Sequence, residues 1–191
     1  VEDRKNKRRE IRSFVALDIP AEAKQYLKNL IESRIHALEG ARWIRPEQMH
    51  FTLKFFPSFP LERLVEMRGL FSTLSGSFSP ITVVLENMGV FPSPSKARVL
   101  WVGTDSLSAR TLCSLANTLE NACERLGFMK EKRPFVPHIT IARFRNPRAV
   151  PPNILHMDNS CETIVHRLVF YQSTLTPSGA MYHPLCEYSL E

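Results

Sequence analysis

The sequence predicts an α+β fold of two pseudo-equivalent lobes, built from antiparallel strands with helices packed on one face. Three observations lead there. An internal repeat of ~90 residues divides the chain into halves at roughly 11–90 and 97–191. Each half runs strand, Asp, amphipathic helix, proline-containing loop, then a strand opening with His; Asp18 to His50 spans 32 residues and Asp105 to His138 spans 33. Strand-like runs are numerous and close together in sequence, which favours antiparallel pairing over βαβ crossovers. The 191 residues are 43% apolar and 23% charged, the balance of a folded domain, which excludes a collagen-like or wholly disordered chain.

Residues 11–18 (IRSFVALD) are rich in β-branched and apolar residues and read as a strand. Pro20 suits the first turn of a helix. Leu27, Leu30, Ile31, Ile35 and Leu38 carry that helix forward at helical spacing, and Gly40 closes it. Residues 50–56 (HFTLKFF) form a strand that Pro57 and Pro60 are expected to break. Leu61, Leu64, Val65, Phe71 and Leu74 predict a second helix ending near Gly76. Residues 80–88 form a strand, 91–96 (FPSPSK) a turn, and 98–104 (RVLWVGT) another strand. The cleanest helical stripe is Leu112, Leu115, Ala116, Leu119, Cys123 and Leu126, closed by Gly127. Residues 138–144 (HITIARF) are a strand. Pro147, Pro151 and Pro152 mark a loop or short helix, and 163–175 and 182–190 read as two final strands.

Charge and cysteine content narrow the function classes. The net charge is +6 and the pI about 9.4, in the range where nucleic-acid binding is a fair expectation. Half of that charge lies in residues 1–12, which hold Arg4, Lys5, Lys7, Arg8, Arg9 and Arg12, so 1–10 are expected to be a disordered basic leader. That segment has no apolar core after its charges, unlike a secretory signal. No apolar run approaches the ~20 residues of a membrane span. Cys113, Cys123, Cys161 and Cys186 have neither C-x-x-C nor zinc-ligand spacing, so they are read as free thiols of a cytoplasmic protein. The seven glycines form no phosphate-cradling loop, and no G-x-S-x-G is present.

The chemistry resides in the two His-x-Thr strands. Residues two apart on a strand share a face, so His50 joins Thr52 and His138 joins Thr140. Phe51 and Leu53, like Ile139 and Ile141, point the other way into a core. A pseudo-twofold that brought the two faces together would converge two imidazoles and two hydroxyls on one cleft. Such a set suits a phosphodiester. One imidazole takes a proton from water, a second protonates the departing sugar oxygen, and the hydroxyls donate to the non-bridging oxygens. No metal or other cofactor is called for, since the carboxylates of a two-metal site are missing. His36, His156, His166 and His183 have no such echo and read as surface or core residues.

The paired H-F-T-L (50–53) and H-I-T-I (138–141) resemble the two motifs of the 2H phosphoesterase superfamily. The chain is similar in particular to the LigT-like RNA 2′,3′-cyclic phosphodiesterases, the 2′-5′ RNA ligase family. RSFVALDIP near the start, RWIRPEQMHFTL, GVFPSPSKARVLWVG, RPFVPHITIAR and YQSTLTPSGAMYHPL follow the family's order from about residue 11 to the end. The resemblance implies one bilobal domain over 11–191, with a cleft between two antiparallel sheets and helices on the outer faces. It also implies hydrolysis of an RNA-terminal 2′,3′-cyclic phosphate to a 2′-phosphate, with ATP-independent 2′-5′ joining as a related reaction. By analogy His50 is the proton donor to the 3′ oxygen, His138 the proton acceptor that activates water, and Thr52 and Thr140 hold the phosphate. Arg143, five residues after the second His, matches a phosphate-binding arginine of the family. Strict alternation would turn it to the opposite face from His138, so a bulge, twist or its own length has to return it. The first repeat carries Phe55 at the equivalent place, leaving one arginine for the site. Many relatives have a small Phe-Leu-Gly segment after the first motif where this chain has Phe55, Phe56, Pro57 and Ser58, a change at one rim of the cleft.

The implied partners are RNA ends carrying a 2′,3′-cyclic phosphate, tRNA fragments among them, with a monomer as the expected state. Two other readings stand beside this one: a phosphodiesterase of small cyclic phosphates, and an RNA-end-binding module without turnover.

Overall fold

The computed structural model describes residues 9–177 and 179–191; most of the basic leader lies outside them. The strands are β1 (Glu10–Asp18), β2 (Arg42–Trp43), β3 (His50–Pro60), β4 (Ile81–Phe91), β5 (Ala97–Thr104), β6 (His138–Arg148), β7 (Cys161–Val165), β8 (Arg167–Thr176) and β9 (Gly179–Ser189). The α-helices are α1 (Ala21–Glu32), α2 (Leu64–Ser75) and α3 (Ser106–Arg125). The strands run in the order β7-β4-β5-β6-β3-β1-β8-β9, with β2 beside β6. Every pairing is antiparallel.

The expected two sheets are two arms of this array. They meet where β3 touches β6 at the pair Phe51↔Ile139. Beyond that pair the strands part, and β2 takes up the free edge of β6, with Arg42 opposite Arg143. Phe51, Leu53, Ile139 and Ile141 enter one core with Leu27 and Ile31 of α1, Phe71 of α2, and Leu112, Leu115 and Leu119 of α3. The helices therefore cover the face opposite His50 and His138, leaving that second face to form a cleft.

The structure corrects several sequence expectations. The first helix ends at Glu32, and a 3-10 turn at Ile35–Ala37 brings Leu38 into the core. β3 ends at Pro60, but Pro57 does not break it, because Pro57 falls at a bulge where Arg12 faces the extra residues between Phe56 and Phe59. Proline is tolerated there because no ladder N–H is required. Likewise β6 continues through Pro147. The span 163–175 is two strands, not one: β7 pairs with β4, and beyond His166 the chain crosses to pair β8 with β1. As a result the arms do not coincide with the sequence repeats. One arm holds β3, β1, β8 and β9, and the other holds β6, β5, β4 and β7.

Candidate active site

β3 and β6 place the predicted residues through the same device. In β1–β3, Ala16 pairs with Thr52 and Val15 with Lys54, so Leu53 is an extra residue. In β5–β6, Trp101 pairs with Thr140 and Leu100 with Ala142, so Ile141 is extra. Each bulge sits three residues after the His. It inverts the alternation, so Lys54 and Ala142 are buried while Phe55 and Arg143 return to the histidine face. This resolves the odd spacing of Arg143. A signal for it exists in the sequence, because Phe56 and Phe144 are apolar six residues after the His, out of phase with Phe51 and Ile139.

His50, Thr52, His138, Thr140 and Arg143 all line one cavity of about 670 Å³ between the arms. The other four histidines and all four cysteines lie elsewhere. Sequence reasoning expected a single arginine in this site, but Arg12, Arg42 and Arg45 line the cavity as well. They were missed because each lies outside the two motifs. Arg12 comes from the neighbouring β1, and Arg42 and Arg45 come from the segment that fills the gap beside β6. Among the described residues, no Asp or Glu lines this cavity. At the rim, Gln48 Nε2 donates to the Ala180 carbonyl at 2.6 Å, tying that segment to the start of β9. The Arg42 guanidinium lies where a Cβ on Gly179 would fall, and that glycine has φ +136°.

Each imidazole is seated on aromatic rings. His50 stacks on Phe14 with centroids 4.8 Å apart and meets Tyr182 edge-on at 5.6 Å. His138 meets Phe91 edge-on at 5.0 Å and lies 6.2 Å from Trp101. The Trp101 ring fits because Gly89 and Gly103 flank it. A Cβ on Gly89 would fall 2.2 Å from the indole and one on Gly103 2.8 Å from it.

His138 Nδ1 is 2.7 Å from the Val136 carbonyl. That carbonyl can only accept, so Nδ1 carries the proton and Nε2 keeps its lone pair. His50 has a backbone hydrogen bond to Gln48, and its Nε2 is 3.1 Å from Thr52 Oγ1. Burial pushes the His50 pKa down to about 4, against a smaller upward pull from the hydrogen bond and from Asp18. Burial also lowers the pKa of His138, and the Arg143 charge lowers both. The two repeat aspartates have diverged. Asp105 caps α3, accepting from the Ser108 amide at 2.9 Å, whereas Asp18 pairs with Lys24 at 2.8 Å and Arg167 at 3.1 Å. The arrangement offers two neutral imidazoles, two hydroxyls and a lining rich in arginine, which suits an anion that gains and loses protons. Among the described residues, no group of three or more His, Cys, Asp or Glu side chains is placed to hold a metal.

Comparison with known proteins gives a consistent result. The family model described as LigT like Phosphoesterase matches residues 17–101 and again 102–182. An RNA 2′,3′-cyclic phosphodiesterase of Thermotoga maritima is 31% identical over 183 residues, covering 95% of this chain and 96% of its own. One from Methanocaldococcus jannaschii is 30% identical over 183 residues, covering 93% and 100%. Among solved structures, a protein of Thermus thermophilus superposes with a TM-score of 0.78 at 27% identity, covering 94% of this chain and 98% of that one. Escherichia coli LigT complexed with 3′-AMP superposes at 0.73 and 27%, covering 95% and 99%.

Proposed function

Because the chain belongs to the LigT-like phosphoesterases of the 2H superfamily, we propose that it hydrolyses RNA-terminal 2′,3′-cyclic phosphates to 2′-phosphates through two-histidine acid–base catalysis. The observation that carries this reading is the convergence of both His–Thr pairs and Arg143 on one cavity. His138 Nε2, left unprotonated by the Val136 hydrogen bond, takes a proton from water as the water oxygen bonds to phosphorus. The bond to the 3′ oxygen breaks, and His50 gives that oxygen its proton. Thr52, Thr140 and Arg143 donate to the non-bridging oxygens, where charge grows in the transition state.

His50 has to be protonated to play this part, yet burial depresses its pKa to about 4. The anionic substrate supplies what is missing, since a negative charge beside a buried imidazole favours its cationic form. An RNA 5′-hydroxyl in place of water would give a 2′-5′ link by the same steps, with no ATP. The cavity lining, rich in arginine and among the described residues without Asp or Glu, supports a metal-independent reaction on RNA ends.

The test is a short RNA ending in a 2′,3′-cyclic phosphate, incubated with EDTA. Wild type is expected to yield a 2′-phosphate, and His50→Ala and His138→Ala to lose at least ~10²-fold in rate. A 3′-phosphate product, or inhibition by the chelator, would overturn the reading. Binding without turnover in all three proteins would leave an RNA-end-binding module.

A further inference from the structure

The cavity holds more positive charge than one phosphate needs. A cyclic phosphodiester carries a single negative charge, and the two threonines with Arg143 already surround its position. Arg12 and Arg45 add two further guanidinium groups, and among the described residues no Asp or Glu lines that cavity. The two walls are related by the repeat. The bulge that returns Arg143 on β6 returns Phe55 on β3, at the same distance from its His. Phe55 does not enter the core; it remains 37% exposed on the cavity wall. Arg12 supplies the cation that position lacks, its guanidinium carbon 4.3 Å from the Phe55 ring centroid. Across the bulge Thr52 and Phe55 face Ala16 and Phe14, two residues apart on β1, so at a strand rise of about 3.3 Å per residue Phe55 lies roughly 7 Å along the sheet from Thr52. A terminal phosphate held between the histidines cannot also occupy that wall.

We propose that the Arg12–Phe55 wall is a second subsite, which takes the phosphate and base of the nucleotide preceding the terminal one. This inference rests on the reading of the site as one for RNA-terminal cyclic phosphates, and it names the substrate as a single-stranded oligonucleotide, not a cyclic mononucleotide. Arg12 pairs with the internal phosphate. The Phe55 ring with its stacked guanidinium forms a flat, charged platform of the kind on which unpaired bases stack, in a sequence-tolerant way. Arg45, exposed and lining the same cavity from the segment between β2 and β3, offers a further cation to the strand.

The experiment compares kcat/KM for a cyclic mononucleotide and for a trinucleotide ending in a 2′,3′-cyclic phosphate, with wild type, Arg12→Ala, Arg12→Lys and Phe55→Leu, over a range of salt. Wild type is expected to favour the trinucleotide at least tenfold. Its trinucleotide KM should also rise more steeply with salt, by about 0.7 in the log–log slope for each internal phosphate held. Arg12→Ala is expected to lower the trinucleotide value about tenfold more than the mononucleotide value and to remove one such step of slope. Arg12→Lys should retain the salt slope, and Phe55→Leu should reduce the preference with the slope intact. Equal turnover of both substrates by wild type, or equal losses on both in Arg12→Ala, would overturn the subsite while leaving the proposed reaction standing. No turnover of either substrate by wild type would overturn the reaction itself.

Discussion

At the scale of single residues, the site is governed by how burial and charge set two imidazoles. Burial holds both histidines neutral near pH 7, His50 most strongly because its ring is packed against Phe14 and Tyr182. The proposed reaction needs His50 protonated and His138 neutral. Protonated His50 is lost as pH rises past about 4, and neutral His138 is lost as pH falls below a value under 6.5. The kcat/KM profile, which reports the free enzyme, is therefore expected to peak below pH 6.5. The kcat profile should peak higher, because bound phosphate raises both pKa values. Arg143→Gln removes a positive charge that lowers both histidines, so it should move the kcat/KM profile toward higher pH while reducing its height. A pH-rate series on wild type and this variant checks both signs; a wild-type kcat/KM optimum above pH 7 contradicts the donor role of His50.

At the scale of elements, the bulges in β3 and β6 control which side chains enter the cleft. The β3 bulge turns Lys54 inward, where its ammonium meets Glu120 of α3 at 2.7 Å and donates to the Met129 carbonyl at 2.9 Å. The pair is 3% and 11% exposed. Burying two charges yields little net stability, but removing one leaves the other without its partner. Lys54→Met is expected to cost ~3–5 kcal/mol, and Lys54→Met with Glu120→Leu to recover most of it. Urea midpoints of the wild type, single and double variants decide this. A double variant no better than the single would mean that Lys54 contributes through its packing alone. The consecutive buried positions Leu53–Lys54 and Ile141–Ala142 are the trace of these bulges in the sequence. The trace was hard to read, because a lysine at a buried position looks like a solvent-facing residue until its carboxylate partner, 66 residues away, is placed beside it.

At the scale of the whole molecule, the chain interlaces its arms. β7 joins one arm and β8 the other, α1 touches β7 of the opposite arm, and α3 lies against both β3 and β4. One continuous core runs through both. Neither arm can lose its strands without exposing the other's apolar face, so the two are expected to unfold as one unit. Phe170 of β8 is fully buried against Phe56, Phe59 and Phe71. Phe170→Ala should cost ~3–5 kcal/mol and shift the transition as a whole. Far-UV dichroism and the fluorescence of Trp43 and Trp101, which both lie on the other arm, should then move together. Two separated transitions would show the arms to be independent. Among the described residues, no helix is long and apolar enough to cross a membrane.

The sequence by itself determined the repeat, the strand character of 50–56 and 138–144, and the pairing of His with Thr on one face. All of these follow from local periodicity, which a strand or helix imposes on its own residues. Only the tertiary structure decided how the two motifs meet at Phe51↔Ile139, that β7 and β8 part company at His166, and that Arg12, Arg42 and Arg45 join the lining of the cavity. The physical reason is that a strand's partners and a bulge's position are set by cross-strand pairing and by burial against distant segments. Residues outside a motif therefore join the site through the fold, with no regular spacing in the chain to announce them.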